Sequence, residues 1–174
     1  MFERLLRAVA SRWFRLVLVL LVVLSFQTTL FGDLRPFGYA VQVLAIFVAS
    51  AGVSHDLRIG MLVGLIAGFM YDAVLATPLG VSAIVFAMVG ALGALFVQPF
   101  RDPPWWLRVL AVSVAAAGGE VLMPLVKSVV GLDGWLGLRV TAVAAVTLAG
   151  GLVLAWPLLA VSRWTLQEKM SLGR

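Results

Sequence analysis

Six long apolar runs separated by short polar loops constrain this 174-residue chain more than any other feature. The runs cover about residues 16–31, 37–53, 59–75, 79–97, 105–130 and 138–161. Each is near the roughly 20 residues that a helix needs to cross a bilayer. The second and third are short, which predicts little tilt or an incomplete span. Because every loop is short, neighbouring helices are expected to pack antiparallel, and no loop has room for a soluble catalytic domain. The sequence therefore predicts one all-α membrane domain over residues 1–174, a bundle of about six transmembrane helices.

The composition supports a lipid environment. Hydrophobic residues make up 63% of the chain and charged residues 12%, whereas a soluble domain carries about 25% charged residues. The net charge of +5 would favour nucleic-acid binding in a soluble protein. Here the basic residues lie in short loops and tails, where they orient helices, so the lipid bilayer is the expected partner and nucleic acid is not. With no cysteine and one histidine, neither a metal site nor a cofactor is expected.

The distribution of lysine and arginine predicts the orientation in the membrane. With the N-terminus placed inside, ten basic residues fall on the inner side, namely Arg4, Arg7, Arg12, Arg15, Arg58, Arg101, Arg108, Arg163, Lys169 and Arg174. Three fall on the outer side, namely Arg35, Lys127 and Arg139. This bias predicts a multi-pass membrane protein with both termini in the cytoplasm.

The third run carries small residues at a spacing of four, at Gly60, Gly64 and Gly68, and Asp72 continues the series. This spacing keeps the four positions near one helix face, and glycine in a membrane helix allows another backbone to approach closely. Two interpretations follow. The face packs within the chain, or it lines a cavity or a groove that binds a partner.

Two carboxylates lie within apolar runs, where ionisable groups are costly and normally face the bundle interior. Asp72 lies about 20 Å and Glu120 about 22 Å from the inner ends of their runs, so both fall at similar depth in the outer half. Lys127 lies one heptad beyond Glu120, past the helix-kinking Pro124. These three charged residues are expected either to form one polar cluster or to extend separately towards the outer surface.

No residue set resembles a catalytic centre. His55 lies in a loop beside Asp56 and Arg58, where a solvated side chain is the expected state. No Ser–His–Asp set and no phosphate-binding loop is present. We therefore expect no catalytic residue and no enzymatic activity, although a membrane enzyme or proton-linked transporter that uses Asp72 and Glu120 stays an alternative.

A family resemblance rests on the third and fourth runs. The stretch GLIAGFMYD at 64–72, followed by TPLG at 77–80 with its Gly80, resembles the bacterial rod shape-determining protein MreD family. That family shows a glycine-rich third helix that closes in an aspartate, followed by a short turn with Leu-Gly. The chain length, helix number and basic N-terminus match as well.

The resemblance implies a non-enzymatic scaffold subunit of the cell-elongation complex, which supports sidewall peptidoglycan synthesis. The implied partners are the bitopic protein MreC, the transpeptidase and glycosyltransferase of the complex, and the MreB filament on the cytoplasmic side. The family is similar in fold to the substrate-binding subunits of energy-coupling-factor vitamin transporters, and a subunit of that kind, which binds a small molecule, is the alternative function. The first run departs from those subunits because residues 16–24 lack the alanines that dock on the transporter partner.

Overall fold

The computed structural model describes residues 12–33, 41–75, 78–131 and 137–167, with the side chains of 30–33 and 138 excepted. The described residues form six helices and no strand. The helices are α1 (Arg12–Asp33), α2 (Val43–Ser54), α3 (Leu57–Leu75), α4 (Val81–Val97), α5 (Trp105–Val129) and α6 (Leu138–Leu166). The predicted all-helical bundle is thereby confirmed.

Local sequence signals explain where two of these helices begin. The Asp56 carboxylate accepts a hydrogen bond of 2.7 Å from the backbone N–H of Ile59, which satisfies one of the free donors in the first turn of α3. Pro104 precedes α5 in an extended conformation. A proline is tolerated at this position because its missing N–H removes no helical hydrogen bond. Each of the loops 55–56 and 98–104 ends one helix and starts the next. The two loops lie at the same side of the bundle.

Helix α2 is the centre of the bundle and contacts all five other helices. Every residue from Val43 to Val53 is buried, and a helix that is apolar on all sides is one that other helices surround. The most extensive helix pair is α3 with α4, followed by α5 with α6. α1 lies against α2, α3 and α6 with fewer contacts.

The outer surface of the bundle is apolar, as expected for a protein in lipid. Large side chains such as Leu18, Phe26 and Val153 are between 48% and 74% exposed. Four helices, α1, α3, α5 and α6, are long and apolar enough to cross a membrane, while α2 and α4 are shorter apolar helices. α6 continues to Leu166, beyond the end near residue 161 that the sequence indicated.

Several sequence-based expectations fall outside the described residues. They are the start of the second run at Phe37, the turn residue Thr77, and the basic residues Arg4, Arg7, Arg35, Lys169 and Arg174.

Candidate functional site

The glycine face of α3 packs against the backbone of α4. A Cβ at Gly64 would collide with the carbonyl group of Phe86 and would lie 2.6 Å from the Ala87 nitrogen. A Cβ at Gly68 would collide with the backbone of Ala83. Real Cβ atoms essentially never approach this closely, so only glycine permits this helix spacing. This geometry supports the first of the two interpretations, in which the glycine face of α3 packs within the chain.

Gly60 extends this contact to a third helix. Its Cβ would lie 2.6 Å from the carbonyl oxygen of Gly90 in α4 and 2.8 Å from Cα of Gly52 in α2. A Cβ at Gly90 would in turn collide with the Gly60 carbonyl group. Three glycines from three helices therefore bring α2, α3 and α4 into direct backbone contact.

Asp72 connects the end of α3 to the start of α4. The side chain is 1% exposed, and its Oδ2 accepts hydrogen bonds from the backbone N–H of Gly80 at 2.8 Å and of Ser82 at 3.2 Å. A carboxylate at a helix N-terminus satisfies free backbone donors and lies at the positive end of the helix dipole. Gly80 has a φ of 105°, in the left-handed region that favours glycine. Asp72 and Gly80, which are eight positions apart in the sequence, thus meet at the junction of α3 and α4.

A hydrogen-bonded chain of three side chains joins α1, the residue before α2, and α3. The Gln27 amide nitrogen donates to the Gln42 side-chain oxygen at 2.8 Å, and the Gln42 amide nitrogen donates to the Tyr71 hydroxyl at 3.4 Å. The Gln27 side-chain oxygen accepts from the Leu44 backbone N–H at 2.8 Å. Sequence reasoning missed this network. The two glutamines stand out in the sequence because polar side chains are costly in apolar runs. Their spacing, however, does not show that they bind each other.

Glu120 and Lys127 do not join Asp72 in one hydrogen-bonded cluster. The Lys127 charge acts on Glu120, yet the structure gives neither side chain a hydrogen bond or ion pair within the residues that it describes. The Tyr71 hydroxyl lies within electrostatic range of both Asp72 and Glu120. The three charged residues therefore share one region of the bundle.

The opposite end of the bundle, which we call the basic end, holds Arg12, Arg15, Arg58, Arg101, Arg108 and Arg163. Here the Ser162 hydroxyl of α6 lies 3.1 Å from the Ser54 hydroxyl of α2. Arg15 of α1 donates to the Gln167 carbonyl oxygen at 2.9 Å, just beyond α6. These contacts fix α1 and α2 against the end of α6.

His55 differs from the solvated loop histidine that the sequence indicated. The ring is half-buried at the basic end, and this burial lowers the pKa of His55 below its ordinary value of 6.5. The Ala51 backbone and the charge of Asp56 act in the opposite direction but are weaker, and the buried ring Nδ1 has no hydrogen-bond partner among the described residues. His55 also lines a cavity of about 480 Å³ together with Asp56, Arg58 and Arg108. No group of three or more residues suited to bind a metal occurs among the described residues.

Most of the features described above lie within a stretch of the chain that matches a known protein family. The family model of the rod shape-determining protein MreD matches residues 7–147. The chain belongs to the MreD family. The match includes the glycine face of α3, Asp72, Gly80, Glu120 and Lys127. No curated protein and no solved structure matches the chain, so the similarity in fold to vitamin-transporter subunits stays an expectation.

The family match also gives the coarse function. This MreD-family protein is a multi-pass membrane protein of the rod-shape-determining class. Its central polar residues hold its own helices together, Asp72 at the α3–α4 turn and Gln27, Gln42 and Tyr71 between α1, α2 and α3.

Proposed function

We propose that this protein is a non-enzymatic scaffold subunit of the complex that guides sidewall peptidoglycan synthesis, and that it binds MreC. The observation that carries the proposal is the MreD family match over residues 7–147. Through MreC, the protein would associate with the transpeptidase and glycosyltransferase of the complex, with the MreB filament on the cytoplasmic side.

The use of the interior carboxylate supports a scaffold. Two hydrogen bonds to Asp72 Oδ2 hold the first turn of α4. A general acid or base must instead reach a reacting group of a substrate. The buried Asp72 carboxylate thus stabilises the junction of α3 and α4. Such a role suits a protein that presents a rigid surface to its partners.

Co-purification tests the partner. The tagged chain is expressed in the bacterium that encodes it, extracted in a mild detergent and analysed by mass spectrometry, beside an equally tagged unrelated polytopic protein. We expect MreC to co-purify with this chain and not with the control. Recovery of paired transporter ATPases in place of MreC would contradict the proposal and favour the vitamin-transporter alternative.

We further propose that the protein lies in the inner membrane with both termini in the cytoplasm. The support is the ten-to-three bias of basic residues between the two sides, which orients helices during insertion. Reporter fusions after Arg174 and within the loop after Gly131 should report opposite compartments, with the C-terminus cytoplasmic. A periplasmic C-terminus would contradict this topology.

A further inference from the structure

A second cavity lies at the basic end, between the start of α5 and the end of α6. It has a volume of about 340 Å³, within the range of sites for small molecules. Its lining residues are Pro103, Trp105, Arg108, Trp156, Leu159, Ala160 and Arg163. All four of its α6 residues lie beyond the stretch that the family model matches, and its lining shares no residue with the glycine face or with the Asp72 turn. The cavity is therefore separate from the glycine face and from the Asp72 turn.

The lining combines two cations with no carboxylate. Arg108 and Arg163 supply the charge. In contrast, the neighbouring cavity that Arg108 also borders contains Asp56, which offsets the charge of Arg58. Two arginines in a lining that holds no carboxylate form a site for an anion, and the planar guanidinium group binds phosphate oxygens in a paired manner.

The geometry of Arg108 prepares it for such a ligand. Its Nε donates a hydrogen bond of 3.0 Å to the Pro103 carbonyl oxygen, which holds the guanidinium in one orientation. The structure gives no further hydrogen bond for this side chain, and none for that of Arg163, within the described residues. The terminal nitrogens of both arginines therefore have donors to offer to an anion.

The remaining walls are apolar and face the lipid. Trp105 is 72% and Trp156 is 71% exposed, and tryptophan favours the headgroup level of a bilayer. Trp156 and Arg163 lie two helical turns apart on one face of α6, about 10 Å along the axis. The cavity thus has a charged part at the bundle end and an apolar part that extends towards the membrane interior.

We propose that this cavity binds the headgroup of an anionic phospholipid. The phosphodiester lies between Arg108 and Arg163, and the glycerol and upper acyl chain lie along Trp156 and Leu159. Basic cavities between transmembrane helices are suited to acidic headgroups. A free phosphate ion would use the arginines alone, whereas a lipid also uses the apolar wall. The proposal depends on the membrane location of the chain and is independent of MreC binding.

Native mass spectrometry of the delipidated full chain tests the site. The protein in mild detergent is titrated with phosphatidylglycerol, with phosphatidylcholine as the zwitterionic probe. Both lipids carry a phosphodiester, but the choline cation of phosphatidylcholine would lie beside Arg108 and Arg163 and be repelled by them. We therefore expect phosphatidylglycerol to bind about tenfold more tightly, which corresponds to about 1.4 kcal/mol of charge repulsion. Equal binding of the two lipids would overturn the proposal.

Three variants locate the site. Arg163→Gln and Arg108→Gln should each weaken phosphatidylglycerol binding by about tenfold or more. Arg58→Gln removes the same charge at the same end but borders only the other cavity, and it should bind like the wild type. If Arg108→Gln unfolds because the contact with Pro103 is lost, the exposed Arg163 decides the outcome. Wild-type binding by Arg163→Gln would overturn the proposal.

Two additional measurements separate a lipid from a free anion. Trp156→Ala should weaken phosphatidylglycerol binding while the chain stays folded, because the acyl chain loses its apolar wall. Inorganic phosphate at millimolar concentration should not displace the bound lipid. Displacement by phosphate, together with an unchanged affinity in Trp156→Ala, would identify the cavity as a site for a free anion and overturn the lipid proposal.

Discussion

Replacement of Gly64 by alanine is the most direct test of the close contact between α3 and α4. The added Cβ would collide with the carbonyl group of Phe86 and lie 2.6 Å from the Ala87 nitrogen, whereas ordinary contacts begin at 3.4 Å. These neighbours are backbone atoms, which cannot rotate away as a side chain can. The two helices would therefore have to separate by roughly 1 Å.

The expected cost follows from that separation. A gap of about 1 Å forfeits roughly a quarter to a half of the dispersion energy of each affected atom pair. Helices α3 and α4 form the most extensive pair in the bundle, so many atom pairs are affected at once. Gly64→Ala should lower the free energy of unfolding by about 1–3 kcal/mol, the usual range for an overpacked core, and Gly64→Leu by more.

Gly118 provides the matched control. It is also a glycine within a helix, but a Cβ there would have its nearest neighbour, Leu92 Cδ1, at 3.9 Å. Gly118→Ala therefore changes helix propensity by the same amount without a collision. Both variants are unfolded in detergent by heat and by denaturant, with circular dichroism as the measurement. If Gly64→Ala is as stable as Gly118→Ala, the close packing of α3 on α4 is refuted.

Three further predictions concern polar groups. Asp72→Asn should destabilise the fold less than Asp72→Leu in detergent unfolding, because the amide oxygen still accepts from Gly80 or Ser82, whereas leucine leaves the half-buried Gly80 donor and the buried Ser82 donor unpaired, the latter at a cost of about 1–3 kcal/mol. Equal stabilities would contradict this role. Burial lowers the pKa of His55, so the contribution of neutral His55 is fully present above pH 6.5 and is lost as the pH falls through its lower folded-state pKa. Melting temperatures between pH 7.5 and 5 should therefore fall more in the wild type than in His55→Gln, and parallel curves would rule this out. Gln42→Leu should cost about 1 kcal/mol by breaking the side-chain network, and a gain in melting temperature would show that the network is dispensable.

The fold class follows from the sequence because lipid leaves few choices. An apolar run of membrane length must satisfy its backbone groups internally, which in an unpaired segment means a helix. The glycine spacing at Gly60, Gly64 and Gly68 likewise predicts a close backbone contact, since the residue type itself encodes the missing volume. What the spacing does not encode is the identity of the partner helix, which depends on how all six helices assemble.

The hydrogen-bond partners of the buried polar groups were harder to predict. Asp72 binds backbone N–H groups, and these carry no side-chain signature that a sequence pattern can reveal. The Lys127 and Glu120 pair looked connected by helix periodicity, but shared direction on one helix does not fix the distance between two long side chains. Gln27 and Gln42 lie in different segments, so only the folded arrangement shows that they meet.

The burial of α2 has a consequence for how the protein is made. This helix has 12 residues, about 18 Å of length, and it is too short to span the hydrocarbon core alone. Its neighbours α3 to α6 are all synthesised after it. While the ribosome is still producing them, α2 lacks the surroundings that it has in the finished bundle. Its final position is therefore reached only when α5 and α6 close around it. Biogenesis of this protein thus ends with an assembly step within the membrane, and a chain truncated before α5 should be a substrate for membrane quality control.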